Sequence, residues 1–308
     1  MLFMNILITG GLGHIGSFFL KNLKKIKNVK NIHVVDANFG NNFNSLFNKN
    51  INKKVNFYLE DILSFNFNKI QKIDYIIHLA SHTNAENSLG KKKIYYNNNF
   101  NIFKKICDVA KKKKSKLIHF SSTSIYGKSK VTVKEDIEKY LKPQSPYAQI
   151  KFEEEKFLKG KNLDYVTLRL GTIAGVSEGM RFHTAVNKFC LNAIIGNDIP
   201  VWKTATNQVR PYLSLIDAFN AVNFILKKNI FGRETFNLVT ANLTVKNIIS
   251  KIRQTNNKRI KIKLVDSKIM NQLSYKVSRK KFEKTGFRFK GSIYKDIEDT
   301  INLFKNIN

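Results

Sequence analysis

The feature that most constrains this chain is a short apolar segment that runs directly into a glycine-rich turn. Residues 5–9 (NILIT) are followed by Gly10-Gly11-Leu12-Gly13-His14-Ile15-Gly16 and then by a helix-like apolar pattern. Glycines in such a turn let backbone N–H groups approach a pyrophosphate, and the N-terminus of the next helix adds partial positive charge. The order strand, glycine turn and helix predicts the first unit of a dinucleotide-binding α/β fold.

An acidic residue closes the second apolar segment. Asp36 ends the run from Ile32, at the position where a carboxylate accepts hydrogen bonds from the adenosine ribose hydroxyls. The next residues, Ala37 and Asn38, supply no arginine for a 2′-phosphate, which the Asp36 carboxylate would also repel. The sequence therefore predicts NAD rather than NADP as cofactor.

Short apolar runs alternate with helix-length amphipathic segments through the first 170 residues. The predicted strands are residues 5–9, 32–36, 55–59, 75–80, 116–121 and 164–170, and the predicted helices are residues 15–27, 94–113 and 146–159. This alternation predicts an α/β fold, a Rossmann doubly wound parallel sheet.

After residue 171 the pattern becomes irregular. It predicts a helix over residues 184–195, a helix from about Asp217 and a strand over residues 235–239. We expect an NAD-binding domain of residues 1–170, joined by parts of 205–240. Residues 171–204 and 241–308 would form a smaller, mixed C-terminal substrate domain.

The formal net charge of +32 raises the question of a polyanionic partner. The basic residues are mostly lysines spread over the whole length, accompanied by many Asn, Ile and Phe, which share A/T-rich codons with lysine. A biased genome explains this composition, so we expect no nucleic-acid partner. The 43% of hydrophobic residues exclude a disordered class.

Cysteines and apolar runs bear on the compartment. Cys107 and Cys190 are the only cysteines, and no His/Cys spacing suits a metal ion. Residues 2–8 lack the basic flank of a cleavable signal, and no stretch is long enough to span a bilayer. We expect a cytoplasmic protein with no bound metal and no membrane contact.

A tyrosine and a lysine four residues apart open the third predicted helix. The spacing places Tyr147 and Lys151 on one helix face, where the ammonium group can lower the pKa of the phenol. A serine-rich segment, Ser121 to Gly127, follows the preceding strand. These residue types suit proton abstraction from a hydroxyl group.

The sequence resembles the extended short-chain dehydrogenase/reductase family, in particular its nucleotide-sugar epimerases and dehydratases. The resemblance covers most of the chain, because the motifs occur in the family's order and spacing. They are the glycine turn, Asp36, Asp61-Ile62 after the third strand, His78-Leu79-Ala80-Ser81 after the fourth, Asn99, the serine-rich segment, and Tyr147 with Lys151.

The resemblance implies a role for each of these motifs. The pyrophosphate, ribose, adenine and nicotinamide portions of NAD would contact Gly10, Gly13, His14, Ile15, Gly16, Asp36, Asp61, Ile62, Leu79, Ala80, Asn99, Tyr147 and Lys151. Tyr147 would be the general base, assisted by Lys151, and Ser122 would share the hydrogen bond to the sugar hydroxyl.

The resemblance also implies where a nucleotide-sugar substrate binds. Arg210, in the motif Val209-Arg210-Pro211-Tyr212, would contact the substrate phosphates, which a planar guanidinium suits. The further substrate-binding candidates are Ser122, Thr123, Thr172, His183, Asn187, Lys188 and Arg279. Thr172 stands where many relatives have an asparagine, so the sugar and the nucleotide stay open.

Two reactions remain open within the family, together with one role outside catalysis. Dehydratases place an acid pair where this chain has Thr123 and Ser124, and deoxy-sugar epimerase-reductases place a cysteine at position 124. We therefore favour a 4-epimerase that works through a transient 4-keto sugar. A C4 dehydrogenase that releases the keto sugar is the alternative, and a non-catalytic NAD-binding protein is a further one. The resemblance also implies a homodimer, formed through helices 94–113 and 146–159.

Overall fold

A computed structural model describes residues 3–24, 26–40, 42–46, 54–85, 87–256, 259–266 and 274–306. The strands are β1 Met4–Thr9, β2 Val29–Val35, β3 Val55–Tyr58, β4 Tyr75–His78, β5 Lys116–Ser122, β6 Tyr165–Leu170, β7 Thr172–Ala174, β8 Ile199–Trp202, β9 Val209–Ser214, β10 Glu234–Leu238, β11 Ala241–Thr244 and β12 Ile262–Val265. The helices are α1 His14–Leu23, α2 Lys92–Lys113, α3 Pro146–Lys159, α4 Ala185–Ile194, α5 Leu215–Lys228, α6 Val245–Thr255, α7 Lys280–Glu283 and α8 Ile293–Phe304.

Seven strands form one parallel sheet in the order β10-β6-β5-β4-β1-β2-β3. The chain moves outward from β1 to β3 and then returns to place β4 on the other side of β1. The carboxyl ends of β1 and β4 therefore flank the point where the strand order reverses, which is where such sheets bind ligands. The predicted Rossmann fold is confirmed.

Burial on both faces explains the apolar sequence of the central strands. All six residues of β1 are buried. Successive side chains point to opposite faces, so Ile6 and Ile8 pack with Phe19 of α1, whereas Leu7 packs with Phe103 of α2. Helices thus cover the sheet on both sides and hold its loops in place.

The irregular C-terminal region builds a smaller layer beside this sheet. Strand β9 pairs antiparallel with β11 and parallel with β7, and β12 pairs parallel with β8. Apolar side chains of α4, α6 and α8, including Val186, Ile248 and Ile297, form its core. The mixed strand directions agree with the mixed character expected of this region.

The predicted elements occur close to their predicted positions, although several of their ends differ by a few residues. Strand β2 ends at Val35, so Asp36 is the first residue beyond it, and β4 ends at His78 rather than Ala80. Helix α1 ends at Leu23, four residues before the predicted end at Lys27. The described part of the chain contains no helix long and apolar enough to cross a membrane.

Candidate active site

The glycine turn between β1 and α1 packs tightly against neighbouring backbone atoms. Gly10 has φ +72°, and a Cβ added there would lie 2.6 Å from the backbone nitrogen of Ala80. A Cβ on Gly16 would lie 2.4 Å from the carbonyl oxygen of Gly10. Only glycine fits these two positions. The turn places the N-terminus of α1, which has no acidic residue in its first turn, at the carboxyl edge of the sheet, where we expect the cofactor cleft.

The Asp36 carboxylate is fixed at the end of β2 beside this turn. One oxygen accepts a hydrogen bond from the Leu12 backbone N–H at 2.9 Å, and the other accepts one from the Asn38 N–H at 2.8 Å. The half-buried carboxylate therefore lies directly next to the glycine turn. Together, the turn, the helix N-terminus and this acid have the donors and acceptors that NAD requires.

The other predicted cofactor residues line the same edge of the sheet or support it. The Leu79 N–H donates to the Thr9 carbonyl at 3.0 Å, so residues 79 and 80 leave β4 alongside the turn. Asn99 is buried and bonds both backbone groups of His82, at 2.8 and 3.0 Å, which fixes the loop after β4. The Asp61 carboxylate accepts from the Leu63 N–H, and Ile62 packs in the core under the predicted adenine position.

Tyr147, the predicted general base, is placed by a well-defined helix start. Ser145 caps α3 by accepting a hydrogen bond from the Ala148 N–H at 3.1 Å, and Pro146 occupies the first helical position. Tyr147 then lies within hydrogen-bonding reach of the Ser122 hydroxyl at the end of β5. Burial raises the pKa of Tyr147, whereas the Lys151 ammonium and the Ser122 hydroxyl lower it.

The two residues that follow Ser122 are engaged in local contacts. The Ser124 hydroxyl donates to the Ser122 oxygen at 2.8 Å, and the Thr123 hydroxyl donates to the Leu170 carbonyl at 3.1 Å. Tyr275 lies within hydrogen-bonding reach of Thr123 and packs near Tyr126. Both hydroxyl residues therefore hold the serine-rich segment in position behind the Ser122 oxygen.

Lys151 is almost completely buried below Tyr147. Its ammonium donates to the Glu154 carboxylate at 2.8 Å, and His119 contacts the same carboxylate oxygen at 3.0 Å. Burial opposes the charged form, but Glu154, together with Tyr147 and Glu155, outweighs burial, so the pKa of Lys151 is raised. The structure thus brings Ser122, Tyr147 and Lys151 together, as the sequence predicted, and adds two buried partners.

Arg210 lies on β9 in an aromatic environment. Its guanidinium donates to the Gln208 side chain at 2.8 Å, and Tyr212 and Tyr275 are close enough to act on its charge. Burial lowers the pKa of Arg210, which means that an anion near it would relieve an electrostatic penalty. Tyr275 connects this arginine to Thr123, and sequence reasoning missed it because it stands alone in an irregular segment.

The remaining predicted substrate residues fall into two groups. Asn187 is fully buried, with its amide nitrogen donating to the Arg181 carbonyl at 3.0 Å and its oxygen without a partner among the described residues. Thr172 begins β7 and pairs with β9, whereas His183 precedes α4 and Lys188 lies on it. Arg279 instead bonds two backbone carbonyls and Glu283 and stacks on a phenylalanine, and none of these partners is a predicted site residue.

The irregular segment 175–183, called the cover segment below, lies across the glycine turn. The His14 ring bonds the Gly175 carbonyl at 2.8 Å, and the Gly179 N–H donates to the Ser17 hydroxyl at 2.9 Å. A Cβ on Gly179 would lie 2.3 Å from the Leu12 carbonyl oxygen. Because burial lowers the pKa of His14 to about 4, the ring is neutral and donates from Nε2 at neutral pH.

Arg181 of the cover segment extends over the glycine turn, a position that the sequence did not predict. One guanidinium nitrogen donates to the Thr83 hydroxyl at 2.8 Å, and another lies 3.1 Å from where a Cβ on Gly13 would be. Burial lowers the pKa of Arg181, with Asp36 and Tyr147 acting in the opposite direction. Arg181 therefore places a cation close enough to act on both Asp36 and Tyr147.

The parallel sheet, the glycine turn with Asp36, and the Ser122, Tyr147 and Lys151 group define a Rossmann enzyme that uses a dinucleotide cofactor. The model of the NAD dependent epimerase/dehydratase family matches residues 6–238. The chain belongs to this family, and NAD is its cofactor. The predicted family, enzyme class and cofactor are confirmed.

Two curated relatives illustrate the range of the family. A dTDP-D-glucose 4,6-dehydratase of Dictyostelium discoideum is 28% identical over 74% of this chain and 56% of its own length. An ADP-L-glycero-D-manno-heptose-6-epimerase of Brachyspira hyodysenteriae is 29% identical over 75% of this chain and 76% of its own length. The chain thus spans little more than half of the first relative.

Solved structures agree in fold over nearly the whole chain. A UDP-glucuronic acid 4-epimerase from Bacillus cereus, in complex with UDP-glucuronic acid and NAD, has a TM-score of 0.87 at 24% identity and covers 99% of this chain and 100% of its own. A UDP-N-acetylglucosamine 4-epimerase from Methanobrevibacter ruminantium M1 has a TM-score of 0.86 at 24% identity, with 99% of both chains covered. At these identities the likeness shows the fold.

Proposed function

We propose that this protein is an NAD-dependent nucleotide-sugar 4-epimerase that acts through a transient 4-keto sugar. The cover segment over the glycine turn is the observation that carries the proposal, since it favours a cofactor that stays bound through the whole cycle. An epimerase regenerates NAD within each turnover, whereas a dehydrogenase must exchange it.

The side chains near Tyr147 support proton transfer at a sugar hydroxyl. The Lys151 ammonium stabilises Tyr147 as its phenolate, which takes the proton from the sugar hydroxyl that it shares with Ser122 and becomes a neutral phenol. NAD, when bound, accepts a hydride from the sugar carbon and returns it. Return of the hydride to the opposite face of the keto sugar, with return of the proton from Tyr147, inverts the carbon.

The residues after Ser122 weigh against dehydration. Loss of water from the sugar needs a group that protonates the departing hydroxyl and another that removes a carbon-bound proton. Thr123 and Ser124 occupy the two positions after Ser122, and their hydroxyls bond Leu170 and Ser122. These weak acids do not supply that chemistry near neutral pH.

Arg210 and Asn187 support a diphosphate-linked substrate. The half-buried Arg210 guanidinium suits an anionic oxygen, and the buried, unpartnered amide oxygen of Asn187 suits a donor such as a sugar or ribose hydroxyl. Arg181, whose backbone carbonyl accepts a hydrogen bond from Asn187, adds positive charge near Asp36 and Tyr147. We propose this face of the cleft as the binding site of the nucleotide.

Mass spectrometry of the products from a panel of UDP-, GDP-, CDP- and dTDP-sugars tests the reaction. A new product of unchanged mass, with NAD recovered in the protein after turnover, is the expected result. Loss of two hydrogens with release of NADH would instead establish the C4 dehydrogenase, the second candidate. Loss of water would contradict the argument from Thr123 and Ser124.

Tyr147→Phe tests the assignment of the base. Removal of one hydroxyl is expected to lower kcat by about 100- to 10,000-fold, because general acid–base catalysis contributes about that much, while NAD stays bound. Tyr294→Phe, at a half-exposed tyrosine on α8, is the matched control and is expected to keep full activity. Normal turnover by Tyr147→Phe would refute the assignment. If no sugar is converted and NAD is still bound, a non-catalytic NAD-binding protein is supported instead.

Two broader expectations stay proposals. We propose a homodimer through α2 and α3, which pack side by side, and Ile94 of α2 is 60% exposed at that surface. We also propose a cytoplasmic location, which suits the free and buried thiols of Cys107 and Cys190. Light scattering of the purified protein tests the dimer.

A further inference from the structure

A buried ion pair lies directly under the catalytic tyrosine. Lys151 and Glu154 are one turn apart on α3, with 2.8 Å between the ammonium nitrogen and one carboxylate oxygen. Both residues are buried, at 4% and 1% exposure. The charge that assists Tyr147 is therefore shielded from water and held by a single carboxylate.

The same carboxylate oxygen is bound from the sheet. His119 of β5 contacts it through Nε2 at 3.0 Å, and the Thr167 hydroxyl of β6 lies 3.3 Å from the other ring nitrogen. The second oxygen of Glu154 is buried with no hydrogen-bond partner among the described side chains. A line of contacts thus runs from Tyr147 through Lys151, Glu154 and His119 into the sheet.

Stability alone does not account for this arrangement. A buried ion pair contributes little to stability compared with apolar residues of the same volume, because both charges must be desolvated. The unpartnered oxygen adds to that penalty. We propose, on the basis of the proposed function, that Glu154 is a positioning residue that His119 holds in place, and that it keeps the Lys151 ammonium charged and fixed beneath Tyr147.

The charges around Glu154 determine in which direction its replacement would shift the pH dependence of activity. The groups facing Glu154 are Lys151 and Tyr147 on α3, His119 on β5, His78 on β4 and Cys107 on α2. The Glu154 charge raises the pKa of Tyr147 and that of Lys151. The Tyr147 phenol and the Lys151 ammonium together carry two protons, and the pair is active after it has lost one of them. Because the two groups titrate as a coupled pair, the Glu154 charge affects the loss of the first proton and of the second.

Glu154→Gln removes one negative charge and keeps the shape of the side chain. Both protons then leave the pair more easily, so both limbs of the pH profile of kcat/KM are expected to move to lower pH. The expected shift is about one to three pH units, as for a charge at this distance. Glu153→Gln is the matched control, because Glu153 neighbours it on α3 and bonds only Gln149 among the described contacts; its profile should match wild type.

Glu154→Asp keeps the charge but withdraws it by one methylene group. It is expected to move both limbs in the same direction by less than Glu154→Gln does, and to recover most of the wild-type rate. If Glu154→Gln fails to fold, this variant decides the question alone. The proposal is overturned if, in the variants that fold, the two limbs of the pH profile stay in place or move to higher pH. A residue with a purely structural role would change the rate and leave both limbs where they are.

A readout without substrate separates this proposal from the proposed function. The ultraviolet absorbance of tyrosinate is titrated in the NAD-bound protein, and the titration of Tyr147→Phe is subtracted to isolate Tyr147. We expect the difference to appear at lower pH in Glu154→Gln than in wild type. If the tyrosinate titration shifts but no sugar is converted, the positioning role of Glu154 is supported and the epimerase proposal fails. If sugar is converted but the titration does not shift, only the positioning role is refuted.

Discussion

The two sides of the cofactor cleft differ in how their buried charges are paired. Below the cleft, α3 carries two consecutive buried glutamates, each paired with a cation: Glu154 with Lys151 and Glu155 with Arg169. Above it, the Arg181 guanidinium of the cover segment donates a hydrogen bond to the neutral Thr83 hydroxyl. The lower side is electrically balanced before any ligand binds, whereas the upper side carries positive charge that suits an anionic ligand.

Within the lower side, the two glutamates also differ from each other. Arg169 bonds Glu155 through two of its nitrogens, and the third donates to the Tyr126 hydroxyl and the Glu135 carbonyl, so every guanidinium nitrogen has a partner. Glu154 keeps one oxygen without a partner among the described residues. Complete pairing is typical of a structural contact, and incomplete pairing next to Tyr147 is typical of a functional site.

The largest expected effect comes from breaking the ion pair between Arg169 and Glu155. Arg169→Met leaves Glu155 buried and unpaired, so we expect the free energy of unfolding to fall by about 3–5 kcal/mol. Urea denaturation measures the loss. The limbs of the pH profile of activity are expected to stay in place in the folded protein, because the hydrogen bonds of Arg169 go to Glu155, Tyr126 and Glu135. A loss below about 1 kcal/mol would show that the pair is not a structural contact.

Acid is expected to weaken the contact between the turn and the cover segment. The folded pKa of His14 is about 4, below the ordinary value of 6.5, so the unfolded chain binds a proton first as the pH falls. Stability is therefore lost as the pH falls from 6.5 towards 4, by about 2–3 kcal/mol from this ring. His14→Gln should reduce the difference in unfolding free energy between pH 7 and pH 4.5 by about that amount. An equal difference in both proteins would contradict a neutral His14.

Removing the cation from the upper side is expected to affect NAD more than folding. Arg181→Met should weaken NAD binding by about 10- to 100-fold, the usual contribution of a hydrogen bond to a charged group. Its unfolding free energy without NAD should stay within about 1 kcal/mol of wild type, because the burial of this charge is already unfavourable. Calorimetric titration of NAD-stripped protein measures the affinity. Arg253→Met, at an exposed arginine of α6, is the control, and equal affinities of both variants would refute the assignment.

The smallest effect is expected at the outer edge of the cover segment. Lys21 and Glu178 form an exposed ion pair of 3.0 Å, with the lysine side chain 53% exposed. Such pairs contribute about 0–1 kcal/mol, so Lys21→Ala should change neither the unfolding free energy nor the retention of NAD measurably. Loss of NAD during gel filtration of this variant would mean that the pair, rather than His14 and Ser17, holds the cover segment.

Features with a local sequence signal were predictable. The glycine turn, Asp36 and the four-residue spacing of Tyr147 and Lys151 depend on neighbouring residues, and the structure places them beside one cleft. Long, fully buried strands such as β1 also follow from their apolar runs. Short strands did not: β12 is largely exposed and pairs with β8, more than 50 residues away, so it has no pattern of its own.

Long-range partners of the site were not predictable in the same way. Arg181 and Tyr275 lie in irregular segments whose path depends on packing, and no periodicity marks them. Glu154 did have a signal, because Lys151, Glu154 and Leu158 follow the helical spacing of the buried face of α3. A charged residue on an apolar stripe indicates a buried partner, but only the structure shows that the partners are Lys151 and His119. The roles carried over to Thr172 and Arg279 stay predictions.

The late return of the chain to the main sheet has a consequence for biosynthesis. Strand β6 ends at Leu170, and its neighbour β10 begins only at Glu234, so more than 60 residues must leave the ribosome before the edge of the sheet is covered. During that interval an apolar strand with free N–H and C=O groups is open to pairing with other chains. The nascent protein is therefore most exposed to aggregation, and most dependent on chaperones, while the smaller layer is being synthesised.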